Sequence, residues 1–151
     1  MWARLRRFNA LSRPAKALLV RAALLLPLLT LSLKLFGFRR TQRLLQKFLS
    51  SNQNMLQKTT SEPGVALTSR MVLAASRASA IPATCLERSL ALWWLLGRQG
   101  IPSQLRIGVR TDAEKFQAHA WVEQDGVAIG EPEAPHLHYA AFDEKFSGET
   151  S

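Results

Sequence analysis

The chain has 151 residues, enough for one compact domain with a helical extension and too few for two ordinary domains. Its single cysteine excludes an internal disulfide framework and a paired-cysteine zinc site, and the apolar run Ala22–Leu33 lacks the small-residue cleavage site of a signal peptide, so a reducing, cytoplasmic setting is expected. The net charge of +9 is unevenly spread: residues 1–61 carry 12 Lys or Arg and no acid, whereas residues 62–151 carry 8 basic and 11 acidic residues.

This asymmetry divides the chain into a basic helical N-terminal region, 1–61, and a mildly acidic remainder, 62–151. It points the first part toward an acidic protein or an anionic membrane surface. Nucleic acid is not expected as a partner, because the cations are not interleaved with a stacking platform of aromatics and no binding motif is present.

In chain order, Met1–Arg13 is a short basic amphipathic segment with Leu5, Phe8 and Leu11 three apart. Ser12 can cap a second helix, with Pro14 near its start and Leu18, Leu19, Ala22, Leu25 and Leu26 at helical spacing. Pro27 is expected to end or kink that helix. Leu28–Phe36 continues as a short apolar helix up to Gly37, and Thr41–Leu49 reads as another, with Leu44, Leu45, Phe48 and Leu49 on one face. Arg21, Pro27 and Lys34 interrupt Ala17–Phe36, so packing on the domain is preferred to a membrane span of about 20 residues, and lying on the membrane surface is the second reading.

Ser50–Gly64 reads as a polar linker or surface loop, and Val65–Ala78 resumes helical spacing through Leu67, Met71, Val72 and Ala75. Ile81-Pro82 breaks the chain before the central element, Cys85–Gln99. Thr84 is a good N-cap, Glu87 stands where a capping-box acid reaches back to the cap's N–H, and Gly100 and Pro102 are stop signals. Leu86, Leu90, Trp93, Trp94 and Leu96 give this helix a broad apolar surface, with both tryptophans read as core.

The period then changes to that of strands. Leu105, Ile107 and Val109 alternate with Arg106, Gly108 and Arg110; Thr111–Gln117 reads as a polar loop in which Asp112 and Glu114 are solvated charges. Ala118–Gln124 is a second strand with His119, Trp121 and Glu123 on one face, and Asp125-Gly126 turns it into a third, Val127–Glu131. Beyond Pro132 the sequence is irregular, with Tyr139–Phe146 read as a short closing helix. Helices followed by antiparallel strands make an α+β fold.

The chemistry centres on Cys85. The first turn of a helix offers unpaired backbone N–H groups and the positive end of the dipole to a sulfur anion, so this is a place where a nucleophile can be made. The bland alternative, a small buried hydrophobe, is what most single cysteines are. His119 on a later strand and an acid on the next supply the order and element types of a papain- or transglutaminase-like nucleophilic site. The Cys85 N–H is one donor placed for an oxyanion. His136 and His138 form an H-x-H pair with no third ligand placed near them, so neither metal nor cofactor is expected.

The run Cys85-Leu86-Glu87-Arg88-Ser89-Leu90-Ala91-Leu92, then Gly100-Ile101-Pro102, Ile107-Gly108-Val109 and Ala118-His119-Ala120-Trp121-Val122-Glu123 with Asp125-Gly126, closely resembles the lasso peptide biosynthesis B2 proteins of the transglutaminase-like superfamily. The resemblance covers roughly Ile81 to Glu133, and Leu35-Phe36-Gly37-Phe38-Arg39-Arg40 is similar to the helical lead-in of that family. It implies a transglutaminase-like cysteine protease core over residues 62–151, with the cysteine helix packed on a small antiparallel sheet and the basic helices of 1–61 before it. It also implies a leader peptidase that frees the amino terminus of a ribosomally made precursor peptide for a separate lasso cyclase. A separate leader-binding protein, the RiPP recognition element, is implied because no winged-helix module is present. Carried over by position, Cys85 would be the nucleophile and His119 the general base and acid; Glu131 stands where the family usually has an aspartate. An acyl transferase or amidase on the same pair, and a scaffold with an inert cysteine, are the alternatives.

Hairpin geometry bears on Glu131. A two-residue type I′ turn at Asp125-Gly126 would set Glu131 opposite Ala120, pointing away from His119. A type I turn with Gly126 as a left-handed bulge residue would set it across from His119. The triad reading therefore predicts the bulged turn; with regular pairing from a two-residue turn, Asp112, Glu133 or a backbone carbonyl would have to orient the imidazole.

Overall fold

A computed structural model describes residues 9–50, 62–112, 115–131, 135 and 138–141. The segment 1–8, the linker residues 51–61, Glu114, Glu133, His136 and the proposed helix beyond Ala141 lie outside the described residues. The architecture is α+β: helices α1 (Arg13–Ser50), α2 (Glu62–Ala78) and α3 (Cys85–Arg98) are followed by strands β1 (Gln104–Asp112), β2 (Lys115–Gln124), β3 (Val127–Ala128) and β4 (Ala140–Ala141). The strands form one antiparallel sheet in the order β3-β2-β1-β4.

Of the two outcomes expected at Pro27, an end or a kink, the first does not occur: the proline lies inside α1. Pro27 and Ala23, whose carbonyl loses its partner, are both exposed. Water can therefore serve the freed carbonyl, and the opposite face buries Ala22, Leu26 and Leu29 in the core, which offsets a proline cost of about 3 kcal/mol. The real break is at Gly37, whose φ of 75° and ψ of 174° are not helical. The bend is clipped by Thr41, buried, whose hydroxyl donates to the Gly37 carbonyl at 2.9 Å and lies 2.8 Å from the Ser32 hydroxyl.

One core is shared by elements from both sides of residue 61. Ala22, Leu26, Leu29 and Leu45 of α1 cluster with Val72 and Ala75 of α2, Leu90, Leu95 and Leu96 of α3, and Leu105 and Val122 of the sheet. The tryptophans of α3 are half-buried against this cluster, with the Arg98 guanidinium 5.4 Å from the Trp94 ring centre. Gln99 ties the end of α3 to α2, its Nε2 donating to the buried Thr68 hydroxyl at 2.8 Å and to the Leu95 carbonyl at 3.0 Å.

The sheet corrects two expectations. Thr111–Gln117 is not all loop: β1 runs to Asp112 and β2 restarts at Lys115, paired with it, so the paired strands are longer than the polar composition suggested. Tyr139–Ala141 is not helical either. Ala140 and Ala141 pair with Val109 and Gly108 as an edge strand, satisfying backbone groups on the free side of β1.

Candidate active site

The Cys85 end of α3 is built as its sequence dictates. Thr84 has extended backbone, its hydroxyl accepts from the Glu87 N–H at 3.3 Å, and the Glu87 carboxylate accepts from the Thr84 N–H at 2.7 Å. This capping box leaves the N–H groups of Cys85 and Leu86, by their position, without intrahelical acceptors. Cys85 is a free, half-buried thiol at the first position of the helix. One turn on, the buried Ser89 hydroxyl donates to the Ala120 carbonyl at 2.8 Å, which fixes α3 against β2 beside His119.

Cys85 and Glu131 line the same cleft, of about 270 Å3. Val72, Leu92, Val122 and Ile129 give it apolar surface, and Arg77 and Arg88 also line it. Such a mixture of apolar surface and a few polar groups suits a peptide segment.

His119 is held from several sides. Its Nε2 lies 3.3 Å from a Glu131 carboxylate oxygen. Its ring stacks on Trp121, with centres 6.0 Å apart and planes 16° from parallel, and meets Tyr139 at 5.3 Å. Trp121 is buried, and its Nε1 donates to Glu123 at 2.7 Å; the other Glu123 oxygen lies 3.3 Å from Arg106 Nε, an ion pair without the alignment of a hydrogen bond. Arg110 covers the outer side of the Tyr139 ring at 5.1 Å. The side chain of Gly108, across from His119, could not be larger: a Cβ there would stand 2.9 Å from the Trp121 ring and 3.0 Å from the Ala140 carbonyl.

The turn between β2 and β3 is the two-residue one, not the bulged one. Asp125 and Gly126 have φ of 50° and 79°, Gln124 pairs with Val127 and Glu123 with Ala128, and the Ile129 N–H donates to the Val122 carbonyl at 2.8 Å in the same register. Glu131 nevertheless reaches His119, because regular pairing stops at Gly130, whose φ is 72°. A left-handed residue turns the chain out of the strand, so the side-chain alternation that would carry Glu131 away no longer applies. Gly130 also packs on α2, where a Cβ would collide with the Ser69 hydroxyl.

Glu131 lines the cleft with Cys85 and makes an ion-pair contact with His119. Ala120 and Val122 share the sheet face that α3 covers, whereas His119 belongs to the face of Trp121 and Glu123. Among the described residues no hydrogen bond joins the Cys85 sulfur to His119; Glu131 is common to the cysteine cleft and the imidazole. Asp112 ends β1 opposite Lys115, at the far end of the hairpin from the Asp125-Gly126 turn. The supports missed in the sequence are Ser89, Gly130, Tyr139 and the Arg106–Glu123–Trp121 chain. Alternation did place Trp121 and Glu123 on the face of His119, and the isolated glycine before Glu131 was a usable signal for a break in the strand.

No curated protein and no solved structure matches the chain. The family model described as the transglutaminase-like superfamily matches residues 18–142, taking in most of α1 as well as the cysteine helix and the sheet. That superfamily includes cysteine peptidases and acyltransferases. With its α+β architecture and a match over most of its length, the chain belongs to the transglutaminase-like superfamily.

Proposed function

We propose that the chain is a cysteine peptidase that removes the leader from a ribosomally made lasso precursor peptide, with Cys85, His119 and Glu131 as its catalytic residues. The observation that carries this reading is a thiol at the capped first turn of α3, sharing a cleft with the carboxylate that holds His119. Support for the leader-peptidase assignment comes from the resemblance of the Cys85, Gly100, Ile107 and Ala118 motifs, in that order, to the lasso B2 proteins.

In this reading the Cys85 sulfur, having given its proton to His119, attacks the carbonyl carbon of the leader's last residue. The Cys85 N–H donates to the oxyanion of the tetrahedral intermediate. His119 gives the proton to the departing amine, which leaves as the new amino terminus of the core peptide, and the leader remains as a thioester. Water, losing a proton to His119, then hydrolyses the thioester and frees the leader carboxylate and the thiol. Glu131 holds the imidazole and stabilises its cation. The imidazole must swing toward Cys85 for the first proton transfer, a rearrangement that substrate seated in the cleft would accompany. A separate leader-binding protein delivers the precursor, and a cyclase takes the freed amine.

The test mixes the protein with a precursor and its leader-binding partner and follows the peptide by mass spectrometry. Leader and core fragments are expected, with none from Cys85→Ala or His119→Ala. Cleavage that survives Cys85→Ala sinks the reading. An amide of an added amine in place of the leader acid would assign acyl transfer instead.

A further inference from the structure

We infer that the outer face of α1 is a docking surface for an anionic lipid membrane, on which the protein lies with that helix in the plane of the interface. Val20, Leu24, Leu28, Leu31 and Leu35 are 47–65 % exposed and follow one another at steps of three or four residues, a single straight stripe about 22 Å long. The inner face of the same helix is already used: Ala15, Leu18, Ala22, Leu26 and Leu29 are buried against α2 and α3. A helix apolar on both sides is normally enclosed, and an uncovered apolar stripe of this length marks an interaction surface.

The charge around the stripe says what covers it. Arg13, Arg21, Lys34, Arg39, Arg40, Arg43 and Lys47 are all exposed on α1, and residues 1–61 contain no acid. Past the bend at Gly37 the exposed Leu44 and Phe48 continue the pattern one turn apart among Arg40, Arg43 and Lys47. Exposed apolar side chains on a helix, with single-sign cations beside them and no mixed charge pattern, suit the headgroup and acyl boundary of an anionic bilayer better than a protein with a specific complementary pocket. Because the opposite face is in the core, the helix lies on the bilayer and does not cross it.

Flotation with vesicles of equal parts phosphatidylcholine and phosphatidylglycerol, against vesicles of phosphatidylcholine alone, tests this on the full chain. The protein is expected to float with the anionic vesicles and to be released by high salt. Arg39→Gln/Arg40→Gln/Arg43→Gln is expected to weaken partition on the order of 10²-fold. Leu24→Gln/Leu28→Gln/Leu31→Gln should abolish it while circular dichroism remains that of the parent. Should the leucine variant fail to fold, the arginine variant still decides. The same partition by parent and arginine variant, or no flotation at all, overturns the proposal, as does a self-association in the absence of lipid that the leucine variant dissolves. Cleavage of precursor in lipid-free solution should be equal in parent and arginine variant, so the outcome is separate from that of the peptidase reading.

Discussion

Glu131 shows how one side chain depends on the backbone before it. Its contact with His119 exists because Gly130 takes a φ of 72° and lets the chain leave the β3 register. An alanine at 130 would meet both a left-handed backbone, costing roughly 1–2 kcal/mol, and the Ser69 hydroxyl. Gly130→Ala is therefore expected to destabilise the fold by more than 1 kcal/mol in urea unfolding, and Ser69→Ala in the same chain should return part of the loss, because the clashing oxygen is gone. If Glu131 orients the base as proposed, Glu131→Ala should leave stability nearly unchanged and lower kcat on the order of 10²-fold or more, with a smaller effect on KM. Steady-state kinetics on the precursor separates the two effects. Had the carboxylate only a structural role, kcat would follow the loss of folded protein and nothing more.

At the scale of elements, α3 is the part whose sequence and structure agree most closely. Cap, acid at the third position, apolar run and glycine stop are all local signals, and the helix runs Cys85–Arg98 with both capping bonds made. Thr84→Ala should cost about 1 kcal/mol and fray the turn that presents Cys85, so activity should fall before the melting temperature is reached. Ser89→Ala removes the buried bond to Ala120 and is expected to cost about 1 kcal/mol while loosening the approach of α3 to the His119 strand. The strands were less legible. Lys115 and Gln117 are polar and exposed, as is Phe116 between them, so no buried face marked a strand although the backbone pairs with β1 throughout. Ala140–Ala141 joins the sheet because β1 has an open edge beside it, which is a fact about the sheet and not about those two residues.

For the whole molecule, the charge boundary near residue 61 and the packing boundary are different things. The basic region supplies Leu26, Leu29 and Leu45 to the same cluster as Leu90 and Val122, so its helix forms one wall of the core. Leu26→Ala, at a site 2 % exposed, is expected to cost 2–5 kcal/mol in denaturant titration, as a core cavity does. Residues 62–151 expressed alone should lack cooperative unfolding, because α2 and α3 would then expose the surface α1 covers; a cooperative transition in that fragment would establish an independent C-terminal domain.

Sequence alone determined the features that rest on neighbours a few residues apart: the capped helix that begins at Cys85, the helical stripes of α1 and α2, the alternation that sets His119 with Trp121 and Glu123, and the family motifs. The tertiary structure decided what depends on distant partners. Pro27 is tolerated because the far side of its helix is buried, and Ala140 and Ala141 are extended because β1 needed a neighbour. Glu131 meets His119 because Gly130 is pressed against Ser69 and turns the chain. Local propensity reflects the few dihedral angles and contacts within one turn or one strand, whereas the placement of Glu131 is fixed by α2 and β2, which lie far from it in sequence.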